Sequence, residues 1–76
     1  MKFIIYGSGC SKCQQLTANA EDAARELNIP YEVKKITDMN AIITAGIMRT
    51  PALSINHDVV SEGKVASVDE IKKFLA

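Results

Sequence analysis

Between Lys2 and Ile36 the hydrophobic period changes twice, and no other feature of the chain restricts its fold as much. Lys2-Phe3-Ile4-Ile5-Tyr6 is a short, nearly continuous apolar and aromatic run, the pattern of a strand buried on both faces within a sheet. Gly7-Ser8-Gly9 breaks it. From about Ser11 to Asn28 the apolar residues Cys13, Leu16, Ala20, Ala23, Ala24 and Leu27 recur at threes and fours, with Gln14, Gln15, Asn19 and Glu26 elsewhere, which predicts a helix with one buried stripe. Pro30 cannot continue a helix and is read as its stop. Tyr31 to Ile36 then alternates Tyr31 and Val33 against Glu32 and Lys34, with β-branched or aromatic apolar sites, so a second strand follows. Strand, helix and strand in succession make a βαβ unit.

The second half of the chain adds shorter elements. Thr37 or Asp38 can cap a helix through about Ala45, with Ile42 and Ile43 turned inward and Gly46 free to take the left-handed stop. Thr50-Pro51 introduces Ala52-Leu53-Ser54-Ile55, and Val59-Val60-Ser61 follows the polar Asn56-His57-Asp58, the pattern of an antiparallel hairpin. Ser67-Val68-Asp69-Glu70 is a capping box, and Ile71, Phe74 and Leu75 give the last helix its apolar face. Met39 and Met48 are read as gap-filling core or loop residues. The expected order is β-α-β-α-β-β-α, an α/β fold.

With 76 residues the chain has room for one domain, residues 1–76, because two cores could not both be buried. Its apolar share of 47% and charged share of 24% are those of a chain that folds, not of a disordered one. Nine basic and nine acidic residues cancel, so no net field attracts nucleic acid or an anionic membrane. Phe3-Ile4-Ile5-Tyr6 stops short of a signal-peptide core of ~7–15 residues or a membrane span of ~20. A soluble, cytoplasmic protein is the expectation.

The two cysteines, Cys10 and Cys13, are three positions apart, and a crosslink closing so short a loop constrains the unfolded chain little. Chemistry explains the pair better than a structural staple does. Thiol–disulfide exchange needs one thiolate to attack and a second thiol near enough to expel the bound substrate. Cys10 falls after the glycine loop at the predicted helix start, where free amides and the helix dipole favour an anionic sulfur, so it is the expected nucleophile. Cys13 shares the stripe of Leu16 and Ala20, which shelters its sulfur and suits a resolving thiol. The glycines leave the approach to Cys10 uncrowded. Lys12 either adds positive charge that favours the thiolate or is a solvated surface lysine.

Zinc ribbons, iron–sulfur sites and copper carriers also use this spacing. A closed zinc site would need four ligands, whereas the chain adds only His57, in a polar turn, and scattered carboxylates; no metal and no cofactor is expected. His57 reads as a solvated turn residue. A soft-metal carrier binding copper through the same two sulfurs, and a redox sensor whose disulfide only switches shape, stand as alternatives.

Ile5-Tyr6-Gly7-Ser8-Gly9-Cys10-Ser11-Lys12-Cys13, Thr50-Pro51 and Glu62-Gly63-Lys64-Val65-Ala66-Ser67 together resemble the thioredoxin superfamily. The likeness is to its small archaeal and bacterial members called redox-active disulfide protein 2, and it covers nearly the whole chain. The resemblance implies a minimal thioredoxin-like fold, a four-stranded mixed sheet with helices on both faces. It implies a thiol–disulfide oxidoreductase with Cys10 attacking and Cys13 resolving. It also implies a cis peptide bond at Pro51, which would leave the Thr50 backbone free to pair with an extended substrate segment. Thr50 and Pro51, with Gly9, Ser11 and Lys12 around the cysteines, would then meet the substrate. Protein disulfides would be the substrates of a monomer, recharged by an upstream reductase such as thioredoxin reductase, with glutathione left open as a donor. The departures are specific. Thioredoxins proper carry tryptophan where Gly9 stands, Gly-Pro where Ser11-Lys12 stands, and a buried aspartate where this chain has Ile4. The Gly-Gly and acidic residue with which glutaredoxins hold glutathione are not reproduced by Gly63-Lys64-Val65.

Overall fold

A computed structural model describes residues 1–7 and 11–75. The chain runs β1 (Lys2–Tyr6), α1 (Ser11–Glu26), β2 (Glu32–Ile36), α2 (Met39–Thr44), β3 (Ala52–Ile55), β4 (Asp58–Glu62) and α3 (Val68–Leu75). The four strands form one sheet in the order β2-β1-β3-β4. β1 pairs in parallel with β2 and antiparallel with β3, and β3 pairs antiparallel with β4, so the sheet is mixed.

Because successive strand residues face opposite sides, the apolar run of β1 feeds two cores. Phe3 and Ile5 join Cys13, Leu16, Ala20, Ala23, Ala24, Leu53 and Ile71 on the side covered by α1 and α3. Ile4 and Tyr6 join Ile42, Ile47 and Ala52 on the side covered by α2. β2 is an edge, and its exposed Glu32, Lys34 and Lys35 discourage pairing with another chain.

Two helix ends are closed by left-handed residues, which satisfy carbonyls that would otherwise lack partners. Asn28, at φ 56°, stops α1. Its amide donates to the Arg25 carbonyl at 3.1 Å, and that of Ile29 donates to Ala24 at 2.9 Å. The stop is therefore Asn28 rather than Pro30, and Leu27, expected on the buried stripe, sits in the turn beyond the helix and is exposed. Gly46, at φ 81°, closes α2 in the same way, with Gly46 donating to Ile43 at 2.9 Å and Ile47 to Ile42 at 3.1 Å. Asp38 caps the other end, its side chain accepting the Asn40 amide at 3.1 Å.

Four further apolar side chains, two expected inside and two read as core or loop, point outward. Ile42 is buried, yet Ile43 is 64% exposed, because neighbours on a helix project ~100° apart and a helix this short offers the sheet one face. Phe74 is exposed because Val68, Ile71 and Leu75 set the inward stripe of α3, and Phe74 falls on its solvent flank. Met39 and Met48 fill no core gap; they are 62% and 90% exposed.

The hairpin turns through Asn56 and His57, at φ 50° and 77°. Positive φ at both central residues matches the right-handed twist of the flanking strands. The Asn56 side chain accepts the Lys2 amide at 2.9 Å, and the Asn56 amide donates to the Lys2 carbonyl at 2.9 Å. The turn is thus tied to the start of β1. Around α3, the Ser67 hydroxyl accepts the Glu70 amide at 3.1 Å and the Glu70 carboxylate accepts the Ser67 amide at 3.2 Å, a reciprocal capping box. α1 is joined to α3 and its approach by Asn19 donating to the Ala66 carbonyl at 2.9 Å and by Lys72 pairing with Glu26 at 3.2 Å.

Candidate active site

The end of β1 brings the sequence-distant pieces of the site together. Tyr6 pairs with Ala52, so the point where β1 stops is the point where Pro51 leads into β3. Past Tyr6 the Gly7 amide donates to the Ile36 carbonyl at 3.0 Å, extending the parallel ladder by one bond. Beside Gly7 stands Cys13, buried on the sheet-facing stripe of α1 among Leu16, Thr17 and Ala20. A buried hydroxyl fixes its backbone: Thr17 Oγ1 donates to the Cys13 carbonyl at 2.9 Å. A Cβ built on Gly7 would collide with Cys13 Sγ and stand 3.8 Å from Thr50 Cβ, so Cys13 and Thr50 border the same small space.

The Thr50–Pro51 peptide bond is cis. Pro51 is buried and Thr50 exposed, and the Pro51 carbonyl accepts the Gly63 amide at 2.9 Å, anchoring the segment to the exit of β4. Thr50 also lines a groove of about 540 Å³ whose walls carry Met39, Ile43 and Met48, the apolar side chains that project from the α2 face.

Of the residues expected at the site, Cys13, Thr50 and Pro51 meet here. Ser11 and Lys12 open α1 and are exposed. Cys10 and Gly9 lie outside the described residues. His57 is exposed in the hairpin turn beyond Ile55, at the opposite end of β3 from Pro51. Among the described residues no group of three or more His, Cys, Asp or Glu side chains is placed to hold a metal ion. In the sequence Gly7 marks only the break after the strand; its contact with Cys13 exists once the helix is docked. The one sequence signal was a glycine immediately after a fully buried strand.

Known proteins share sequence with this chain along its whole length. A family model described as a thioredoxin domain matches residues 1–76. The chain belongs to the thioredoxin family. A protein named thioredoxin from Methanothermobacter thermautotrophicus is 45% identical over 76 residues, covering 100% of this chain and 99% of that protein. Another named thioredoxin, from Methanocaldococcus jannaschii, is 42% identical over 71 residues, covering 93% of this chain and 81% of that one. Family membership makes the chain a thiol–disulfide oxidoreductase, and the mixed four-stranded sheet with helices on both faces is a thioredoxin-like fold. Among the described residues no helix is long and apolar enough to cross a membrane.

Proposed function

We propose that the chain reduces or exchanges protein disulfides through a Cys10/Cys13 couple. The observation that carries this reading is the meeting of Cys13 and Thr50 beside Gly7, at the end of the strand that leads into the Cys10-Ser11-Lys12-Cys13 segment. In the forward direction the Cys10 thiolate attacks one sulfur of a substrate disulfide. A Cys10–substrate bond forms, and the other substrate sulfur leaves with the electron pair and takes a proton from water. Cys13, deprotonated to solvent, then attacks Cys10 Sγ, and the second substrate sulfur leaves as a thiolate. The substrate disulfide has become two thiols, and the Cys10/Cys13 dithiol one disulfide.

Thr50 and Pro51 present backbone to an extended substrate segment, with Gly9, Ser11 and Lys12 on the cysteine side. The groove beside Thr50, walled by Met39, Ile43 and Met48, supports a polypeptide substrate over a small charged thiol, since adaptable apolar walls suit varied side chains. The protein acts as one domain over residues 1–76 and as a monomer. It works in the cytoplasm, recharged by an upstream reductase such as thioredoxin reductase.

The test is turnover of a protein disulfide with a chemical dithiol as donor. Cys10→Ser is expected to abolish turnover. Wild-type turnover by Cys10→Ser would refute the couple.

A further inference from the structure

Gly7 has no conformational reason to be glycine. Its φ lies outside the left-handed range, unlike those of Gly46 and Gly63, so its backbone is open to any residue. Space is what excludes a side chain. A Cβ there would overlap Cys13 Sγ, with Cys13 Cβ at 3.7 Å and Thr50 Cβ at 3.8 Å behind it. Neither backbone can easily withdraw. Gly7 is held by its bond to Ile36 at 3.0 Å, and Cys13 sits in α1 with its carbonyl bonded to Thr17 at 2.9 Å and its face buried against the sheet. The Cys13 sulfur occupies the volume that a Gly7 side chain would fill.

The geometry points to Gly7 as a positioning residue that seats the Cys13 sulfur for the resolving step, an inference that rests on the Cys10/Cys13 reading above. Closing a disulfide is demanding: the sulfurs must meet at ~2.05 Å with a Cβ–S–S–Cβ dihedral near ±90°. With both backbones fixed, a methyl on Gly7 drives the Cys13 side chain to another staggered well, ~120° away. The sulfur then leaves the position it holds beside Gly7, the position from which the resolving attack is made in this reading. The bond that should form, Cys10–Cys13, is strained, and the bond that should break, Cys10 to the substrate sulfur, survives longer. The contact of Gly7 is with the Cys13 sulfur, so the resolving step is the one it is expected to affect.

Gly7→Ala is therefore expected to accumulate the mixed disulfide and to slow turnover at least tenfold. Its internal disulfide is expected to be at least tenfold less stable against glutathione, a potential about 30 mV less negative for this two-electron couple. Cys10 alkylation should be unaffected, at the same rate in Cys13→Ala and in Gly7→Ala/Cys13→Ala. The double variant also isolates the collision, because without Sγ the methyl has room; it should unfold at a higher urea concentration than Gly7→Ala alone. If Gly7→Ala fails to fold, recovery of folding in the double variant supports the same conclusion. Gly7→Ala with wild-type potential and turnover, or a double variant no more stable than the single, would overturn it. Loss of the Cys10/Cys13 reading is seen separately, as wild-type activity in Cys10→Ser.

Discussion

Gly63 donates its amide hydrogen to the carbonyl of Pro51 across 2.9 Å, so the exit of β4 holds the segment that borders Cys13. Gly63 does this at φ 71°, and a Cβ there would stand 3.1 Å from both Cβ and Cδ of Arg49. Left-handed backbone costs a residue with a side chain ~1–2 kcal/mol. Gly63→Ala is expected to lose about that much stability by urea unfolding, with a further steric part. Pairing it with Arg49→Ala, which removes Cδ and keeps Cβ, should recover only the share of the steric part due to Cδ and leave the backbone cost. A midpoint unchanged in Gly63→Ala would show that the turn relaxes freely.

The turn at Asn56 and His57 offers the opposite experiment. His57 stands at φ 77°, where glycine is the favoured second residue of such a turn. His57→Gly is expected to raise stability by up to ~1 kcal/mol, the relieved left-handed strain being partly offset by glycine's greater freedom in the unfolded chain. Turnover should stay at the wild-type level, since His57 lies beyond the far end of β3. A large loss of turnover would give His57 a part in the chemistry.

At the start of α3, the Ser67 hydroxyl holds the Glu70 amide. Ser67→Ala is expected to cost ~1 kcal/mol, read as a lower urea midpoint with an unchanged slope.

Glu70 gives this cap a pH dependence. The Lys64 ammonium bonded to its carboxylate, and then the Ser67 amide, hold its pKa below the ordinary glutamate range. A depressed carboxylate pKa contributes stability that is complete above the unfolded-chain value, about 4.3, and is lost as the pH falls through the lower folded value. The difference in stability between wild type and Glu70→Gln should therefore be constant near neutrality and shrink on acidification. A difference that grew toward low pH would contradict the assignment.

Much of this architecture was legible in the chain. The apolar run of β1, the threes and fours of α1 and the Ser67–Glu70 box each state a local preference that the tertiary structure keeps. Where the pattern misled, two apolar residues competed for one direction. Ile42 and Ile43 are equally apolar, and only docking against the sheet decides that Ile42 enters. Phe74 loses to Leu75 in the same way. Pro30 is the louder helix breaker, but Asn28 comes first and its left-handed backbone ends α1. At the site, Cys13 could be placed inside from its stripe. Gly7 could not be matched to the Cys13 sulfur, because that contact depends on how α1 docks on the end of β1.

The central claim is a division of labour between two sulfurs, and intact-protein mass measurement with peptide mapping tests it directly. Cys13→Ser, mixed with a protein disulfide, is expected to form a stable one-to-one adduct joined at Cys10 and released by a chemical dithiol. Failure to form that adduct, with Cys10→Ser instead capturing the substrate through Cys13, would contradict the account.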